Sequence, residues 1–180
     1  MIEQLELLSN QILAQKVPEY KRFLFEKIDF DERLIGILGA RCVGKTTILL
    51  QYLHSIFEEQ KTLYIMADHP LVLELGLFAI ADDFQKRGGE VLIIDEIHKI
   101  KNFELDLKLI YDSFFSLSVV FTGSNAVAID NAKADLSRRA ITYRLPVLSF
   151  REFLELETNE KFEAISLNEI VKNHVSHAVD

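Results

Sequence analysis

Short apolar runs alternate with amphipathic stretches along most of this chain, and the alternation predicts strands and helices in turn. Leu34–Leu38 is wholly apolar and stops at Gly39, as a buried parallel strand would. Thr62–Ala67, Glu90–Ile94, Ser118–Phe121 and Ile141–Leu145 have the same length and character. Between the first two runs, Ile48, Leu49, Tyr52, Leu53 and Ile56 fall on one stripe of a helix over 45–59. Residues 71–87 read as a single helix, entered through Pro70 and left through Gly88-Gly89. A helix is expected around Glu104–Ser113 and a weaker one over 128–139. Residues 1–27 read as helical with an interruption near Pro18: Ile2, Leu5, Leu8, Ile12 and Leu13 recur before it, and Phe23, Leu24 and Ile28 after it. Near the other end, Ser149 can cap a helix over 150–157, with Glu152 closing the capping box and Leu148 stapling onto Phe153.

Strands that alternate with helices imply βαβ units and a mostly parallel sheet covered on both faces, with right-handed crossovers. The pattern divides the chain into a helical lead-in over 1–29, an α/β core over 30–157 and an acidic, partly helical tail over 158–180. The tail reads as the start of a further region, so the sequence is expected to be an N-terminal piece. About half of the 180 residues are hydrophobic, enough for a full core. No apolar run approaches the roughly 20 residues that span a bilayer, and Met1–Glu6 lacks a basic, apolar start, so a cytoplasmic setting is expected. The net charge of −8 does not support nucleic acid as a partner, because backbone phosphates are bound largely by Lys and Arg. The single cysteine excludes an intrachain disulfide and a Cys-rich zinc site.

The chemistry concentrates where the first strand ends. Gly39-Ala40-Arg41-Cys42-Val43-Gly44-Lys45-Thr46 fills every position of G-x-x-x-x-G-K-[ST] between a strand and a helix. Gly39 and Gly44 let successive N–H groups turn inward around phosphate oxygens, and the following helix adds its positive end. Lys45 can reach the β- and γ-phosphates, the Thr46 hydroxyl can take a magnesium position, and Thr47 completes the phosphate-binding set. Cys42 reads either as a small residue tolerated in a tight loop or as a thiol activated by the helix start.

Val91–Ile94 runs into two adjacent acids, Asp95 and Glu96. In an open α/β sheet this strand end lies beside the phosphate loop. Asp95 can hold magnesium while Glu96 orients and deprotonates the water that attacks a γ-phosphate. Asn131-Ala132-Lys133-Ala134-Asp135 has the wrong spacing for a guanine-reading motif, which leaves ATP as the expected nucleotide.

Four segments then occur in one order: Gly39–Thr46; Leu92–Glu96 with Ile97-His98-Lys99; Thr122-Gly123-Ser124; and Pro146-Val147-Leu148-Ser149-Phe150-Arg151-Glu152-Phe153. Over residues 30–157 this order resembles prokaryotic AAA-type P-loop ATPases, whose ATPase domain is often followed by a poorly characterised C-terminal domain. The resemblance implies a three-layer α/β/α sandwich of the additional-strand, catalytic-glutamate type, with a five-stranded sheet ordered 5-1-4-3-2. It also implies a sensor at the end of strand four, where Ser124 is preferred over Thr122, with Asn125 a further polar candidate. Arg139, preceded by Arg138 where the family tends to have glycine, matches the place of an arginine finger acting in cis or from a neighbouring subunit. Its alternative is a solvated arginine.

Magnesium-dependent ATP hydrolysis follows as the expected activity, with Lys45, Glu96, Ser124 and Arg139 as its catalytic groups and Thr46 and Asp95 as metal ligands. A non-hydrolysing, ATP-dependent switch acting on a partner or a C-terminal domain is the alternative, and a homo-oligomer or a protein partner fits either. Asp68 reads as an acid facing the γ-phosphate or as a helix cap before Pro70. Tyr20, Arg22 and Phe23 read as one wall of an adenine pocket or as ordinary packing. His98 reads as a contact to nucleotide or to a magnesium-bound water, or as a surface group, and His54, His69, His174 and His177 form no metal-ligand pattern.

Overall fold

The computed structural model describes residues 2–124, 136, 138–163, 165 and 167–173. Asn125, nearly all of the helix expected over 128–139, Ser137, His174 and His177 lie outside the described residues. The chain divides into two compact units, Met1–Val147 and Leu148–Asp180.

The first unit contains β1 (Leu34–Leu38), β2 (Thr62–Met66), β3 (Val91–Asp95), β4 (Ser118–Gly123) and β5 (Ile141–Arg144) in one sheet, ordered β2-β3-β4-β1-β5. Every pairing is parallel. This is the order expected from the resemblance, read from the other edge. β1 and β3 are buried along their whole length, which is why they carry no polar alternation.

Helices cover both faces. On one side, α3 (Pro70–Leu75), α4 (Leu77–Lys86) and α5 (Phe103–Ser113) pack Val72, Ile80, Phe84, Leu107 and Ile110 against Leu34, Leu38, Leu92 and Ile94. On the other, α2 (Lys45–Ile56) packs Ile48, Leu49 and Leu53 against Ile35, Ile37 and Ile93. Each such buried side chain contributes about 1.5–3 kcal/mol. The N-cap of α2, Gly44, makes no side-chain capping bond, so the apolar stripe holds this helix in place. Helix α1 (Ile2–Leu13) crosses the edge of the sheet, with Ile2 and Leu5 in the first core and Ile12 and Leu13 against the second. The buried Ser9 Oγ accepts from the Tyr64 N–H at 2.9 Å, so a free donor of the edge strand is satisfied.

Two expectations are corrected. The helix expected over 71–87 is two helices, because Gly76 adopts φ 78°, ψ 150°, a conformation essentially reserved for glycine. The lead-in is helical only to Leu13 and then irregular except for a 3-10 turn at Phe25–Lys27, since its backbone is tied to α2: Gln51 Nε2 donates to the Pro18 and Tyr20 carbonyls at 2.9 and 2.8 Å. The second unit contains α6 (Phe150–Thr158) and α7 (Leu167–Asn173). The Ser149–Glu152 capping box is formed, and α6 begins where that pair expects it. No helix among the described residues is long and apolar enough to cross a membrane.

Candidate functional site

The site is built at the carboxyl ends of β1, β3 and β4. After Leu38 the backbone turns through residues 39–44 into α2, with Cys42 and Gly44 in left-handed conformations at φ 61° and 98°. Gly39 is required sterically, because a Cβ there would collide with the Leu145 carbonyl oxygen at the exit of β5. The same exit is joined to the sheet by the Leu145 N–H, which donates to the Leu38 carbonyl at 2.7 Å. Lys45 is buried and its Nζ donates to the Gly39 and Ala40 carbonyls at 3.1 and 2.6 Å, folding the ammonium across the loop. Burial lowers the Lys45 pKa, and the nearby Asp95 and Glu96 charges oppose that shift.

Asp95, the last residue of β3, accepts four hydrogen bonds. Thr46 Oγ1 and the Tyr64 hydroxyl donate to Oδ2 at 2.7 and 2.9 Å; Thr122 Oγ1 and the Glu96 N–H donate to Oδ1, the latter at 3.1 Å. Glu96 follows in a left-handed conformation, φ 57° and ψ 42°, held by its N–H, which also lies 2.9 Å from Thr122 Oγ1. Its half-buried carboxylate makes no hydrogen bond among the described residues. Thr122 is fully buried and committed to Asp95, whereas Ser124 is half-buried just beyond β4. Ser124 faces His98: its N–H lies 3.4 Å from Nδ1 and its Oγ 2.9 Å from Nε2.

The expected loop, Thr46, Asp95, Glu96 and Ser124 are therefore brought to one end of the sheet. Arg139 is not among them. It precedes β5, whose Ile141 pairs with Ile35 near the start of β1, and its guanidinium bonds both Asp112 oxygens at 2.8 and 2.9 Å. Asp112 lies in the last turn of α5. Arg139 thus sits at the opposite end of the sheet from its own phosphate loop, which corrects the expectation of a finger acting in cis. Helix α3 is capped by His69, whose Nδ1 accepts from the Leu71 N–H, and not by Asp68, which is exposed.

Three contributors were missed or undervalued. Tyr64 pairs with Ile93 in the β2–β3 register and so shares a face with Asp95; strand pairing with period-two alternation was the signal. Arg22, considered for an adenine wall, instead donates to Val43 O at 2.6 Å and to the Pro146 and Val147 carbonyls at 3.1 and 3.3 Å. It ties the phosphate loop to the segment leaving β5. His98, read as a nucleotide or magnesium-water contact or as a surface group, is half-buried against Ser124.

Among the described residues no cluster of three or more His, Cys, Asp or Glu side chains could form an all-protein metal cage. Adjacent Thr46 and Asp95 oxygens nonetheless suit magnesium, which typically takes one or two protein oxygens and completes its shell with water and phosphate.

Fold and phosphate loop together define a P-loop α/β domain with the sheet order β2-β3-β4-β1-β5. The sequence profile of the AAA domain matches residues 31–154, and the chain belongs to that family. Two uncharacterized proteins of Methanocaldococcus jannaschii are similar to it: MJ1637, 30% identical over 92% of this chain and 39% of its own length, and MJ1544, 25% identical over 92% and 40%. The chain therefore spans about two fifths of the curated relatives it matches. Among solved structures, NtrX from Brucella abortus in complex with ADP aligns with a TM-score of 0.52 at 13% identity, covering 94% of this chain and 50% of that one. A DNA replication initiation factor aligns with a TM-score of 0.50 at 12% identity, covering 94% and 55%. At such identities the likeness is one of fold.

Proposed function

We propose that this domain binds ATP with magnesium and hydrolyses it. The observation that carries the reading is the contrast between two neighbouring acids: Asp95 is locked by four donors, while the Glu96 carboxylate beside it is left without a hydrogen bond among the described residues. The locked acid suits a metal ligand, and the other suits a general base for water. Thr46 and Asp95 would hold magnesium, which when bound supplies positive charge to the phosphates. Inward N–H groups of residues 39–46 and the start of α2 bind the phosphate chain. Lys45 exchanges its contacts with loop carbonyls for phosphate oxygens, Glu96 takes the proton of the attacking water, and Ser124 contacts the γ-phosphate. Such chemistry is mostly positioning and charge stabilisation, so slow turnover by the isolated chain is expected.

One observation favours a second reading, an ATP-dependent switch. Arg139 is engaged by Asp112 and remote from its own phosphate loop, so the chain alone presents no transition-state arginine from that position. The two readings separate when ATP binding and ATP turnover are measured on the same preparation. Turnover abolished by removal of magnesium is the expected result; saturable ATP binding with no phosphate release would leave the switch.

A further inference from the structure

We propose that His98 is a positioning residue for the γ-phosphate sensor: it fixes the hydroxyl of Ser124 as an acceptor on one side, so that the hydroxyl proton points toward the nucleotide. The inference rests on the ATP-binding reading above and assigns a role to a side chain that reading does not use.

A backbone N–H only donates, so at 3.4 Å from the Ser124 nitrogen the His98 Nδ1 must be the unprotonated ring nitrogen. In a neutral imidazole the other nitrogen then carries the proton. Nε2–H therefore donates to Ser124 Oγ at 2.9 Å, and the hydroxyl is the acceptor in that contact. A serine hydroxyl whose lone pair is occupied retains one hydrogen to give. That hydrogen is available to an anionic oxygen at the site shared with Glu96 and Lys45.

The surroundings keep the tautomer in place. His98 is in the 3-10 turn at Ile97–Lys99, directly after Glu96, and Ile97 of the same turn is fully buried. Burial lowers the His98 pKa, with Lys99, Arg41 and Lys45 acting in the same direction and Glu96 opposing, so the neutral ring is favoured. A doubly protonated ring would turn an N–H against the Ser124 N–H. The arrangement also links the ends of two adjacent strands: His98 follows the acids of β3 and Ser124 follows β4. The water-activating acid and the sensor hydroxyl are thereby held by one short segment.

Two readouts on the full chain test this, neither of which depends on turnover. Long-range proton–nitrogen NMR of the histidine rings, with His98 assigned by its absence in His98→Gln, is expected to show the Nε2–H tautomer in the nucleotide-free protein. An Nδ1–H ring, or an average of both tautomers, would overturn the proposal. The second readout is discrimination between ADP and a non-hydrolysable ATP analogue, taken as the ratio of their dissociation constants in magnesium. Loss of a hydrogen bond to a charged group corresponds to about tenfold or more. His98→Ala and Ser124→Ala should each reduce the ratio by about that factor, and the double variant should lose no more than either alone. His98→Gln should retain most of it, because an amide presents an acceptor and a donor across one carbon as the imidazole does. An unchanged ratio in His98→Ala, or additive losses, would remove His98 from the sensor. A wild-type chain that discriminates between the nucleotides without hydrolysing ATP would sink the hydrolase reading and leave both readouts intact.

Discussion

Asp95 gathers its four donors from separate parts of the fold: Thr46 from α2, Tyr64 from β2, Thr122 from β4 and the Glu96 amide from its own chain direction. A buried carboxylate is tolerable only when its oxygens are satisfied in this way. Burial and the Asp95 charge raise the Tyr64 pKa, so its hydroxyl stays a donor throughout the accessible pH range. Tyr64→Phe removes that donor and little volume, and should lower the unfolding free energy by about 1.5–3 kcal/mol in urea titrations. A change too small to measure would mean that Tyr64 merely packs there. Residues such as Lys45, Thr46 and Asp95 were legible in the sequence because the motif and the strand end fix their local spacing. Tyr64, Arg22 and His98 act across separations of 31, 21 and 26 positions, which no local pattern records and only the folded sheet closes.

Among the elements, all five strands were legible because their apolar runs are short and bounded by polar or glycine-containing turns. The errors fell where tertiary contacts override a helical period. Phe23, Leu24 and Ile28 keep helical spacing, yet the backbone around them is held by Gln51 and by the Arg22 contacts to three carbonyls. Residues 71–87 keep an amphipathic stripe across Gly76, and the stripe continues even though the helix does not. The irregular strap at 18–24 has a mechanical consequence. Arg22 is the common anchor of the phosphate loop and the exit of β5, so Arg22→Met should cost about 2 kcal/mol of stability and weaken ATP binding several-fold. Calorimetric titration of ATP beside a denaturation curve would check both, and wild-type values in each would deny the anchor.

At the scale of the molecule, the parallel order and the two-faced cover followed from alternation and from the resemblance to AAA-type ATPases. The end of the sheet at which Arg139 sits was implicit in the same order, since a residue directly before a strand of a parallel sheet lies at the amino end, opposite the phosphate loop; its pairing with Asp112 was not. Its contact with Asp112 lowers the pKa of that exposed acid, a direct consequence of their hydrogen bond. If Arg139 contributes to turnover, it does so on a neighbouring copy, and specific activity should rise with protein concentration. Arg139→Ala should then bind ATP normally and lose that rise. Activity per chain that is independent of concentration and insensitive to the substitution would give Arg139 a structural role, with Asp112, and none in turnover.

The central claim is that Glu96 makes this cradle a hydrolase site. Single-turnover phosphate release from magnesium and saturating ATP, in the wild-type chain and in Glu96→Gln, tests it most directly. Equal ATP affinity is expected in the two proteins, with release slowed by about a hundredfold or more in the variant, the scale of a lost general base. Equal rates of release would contradict it.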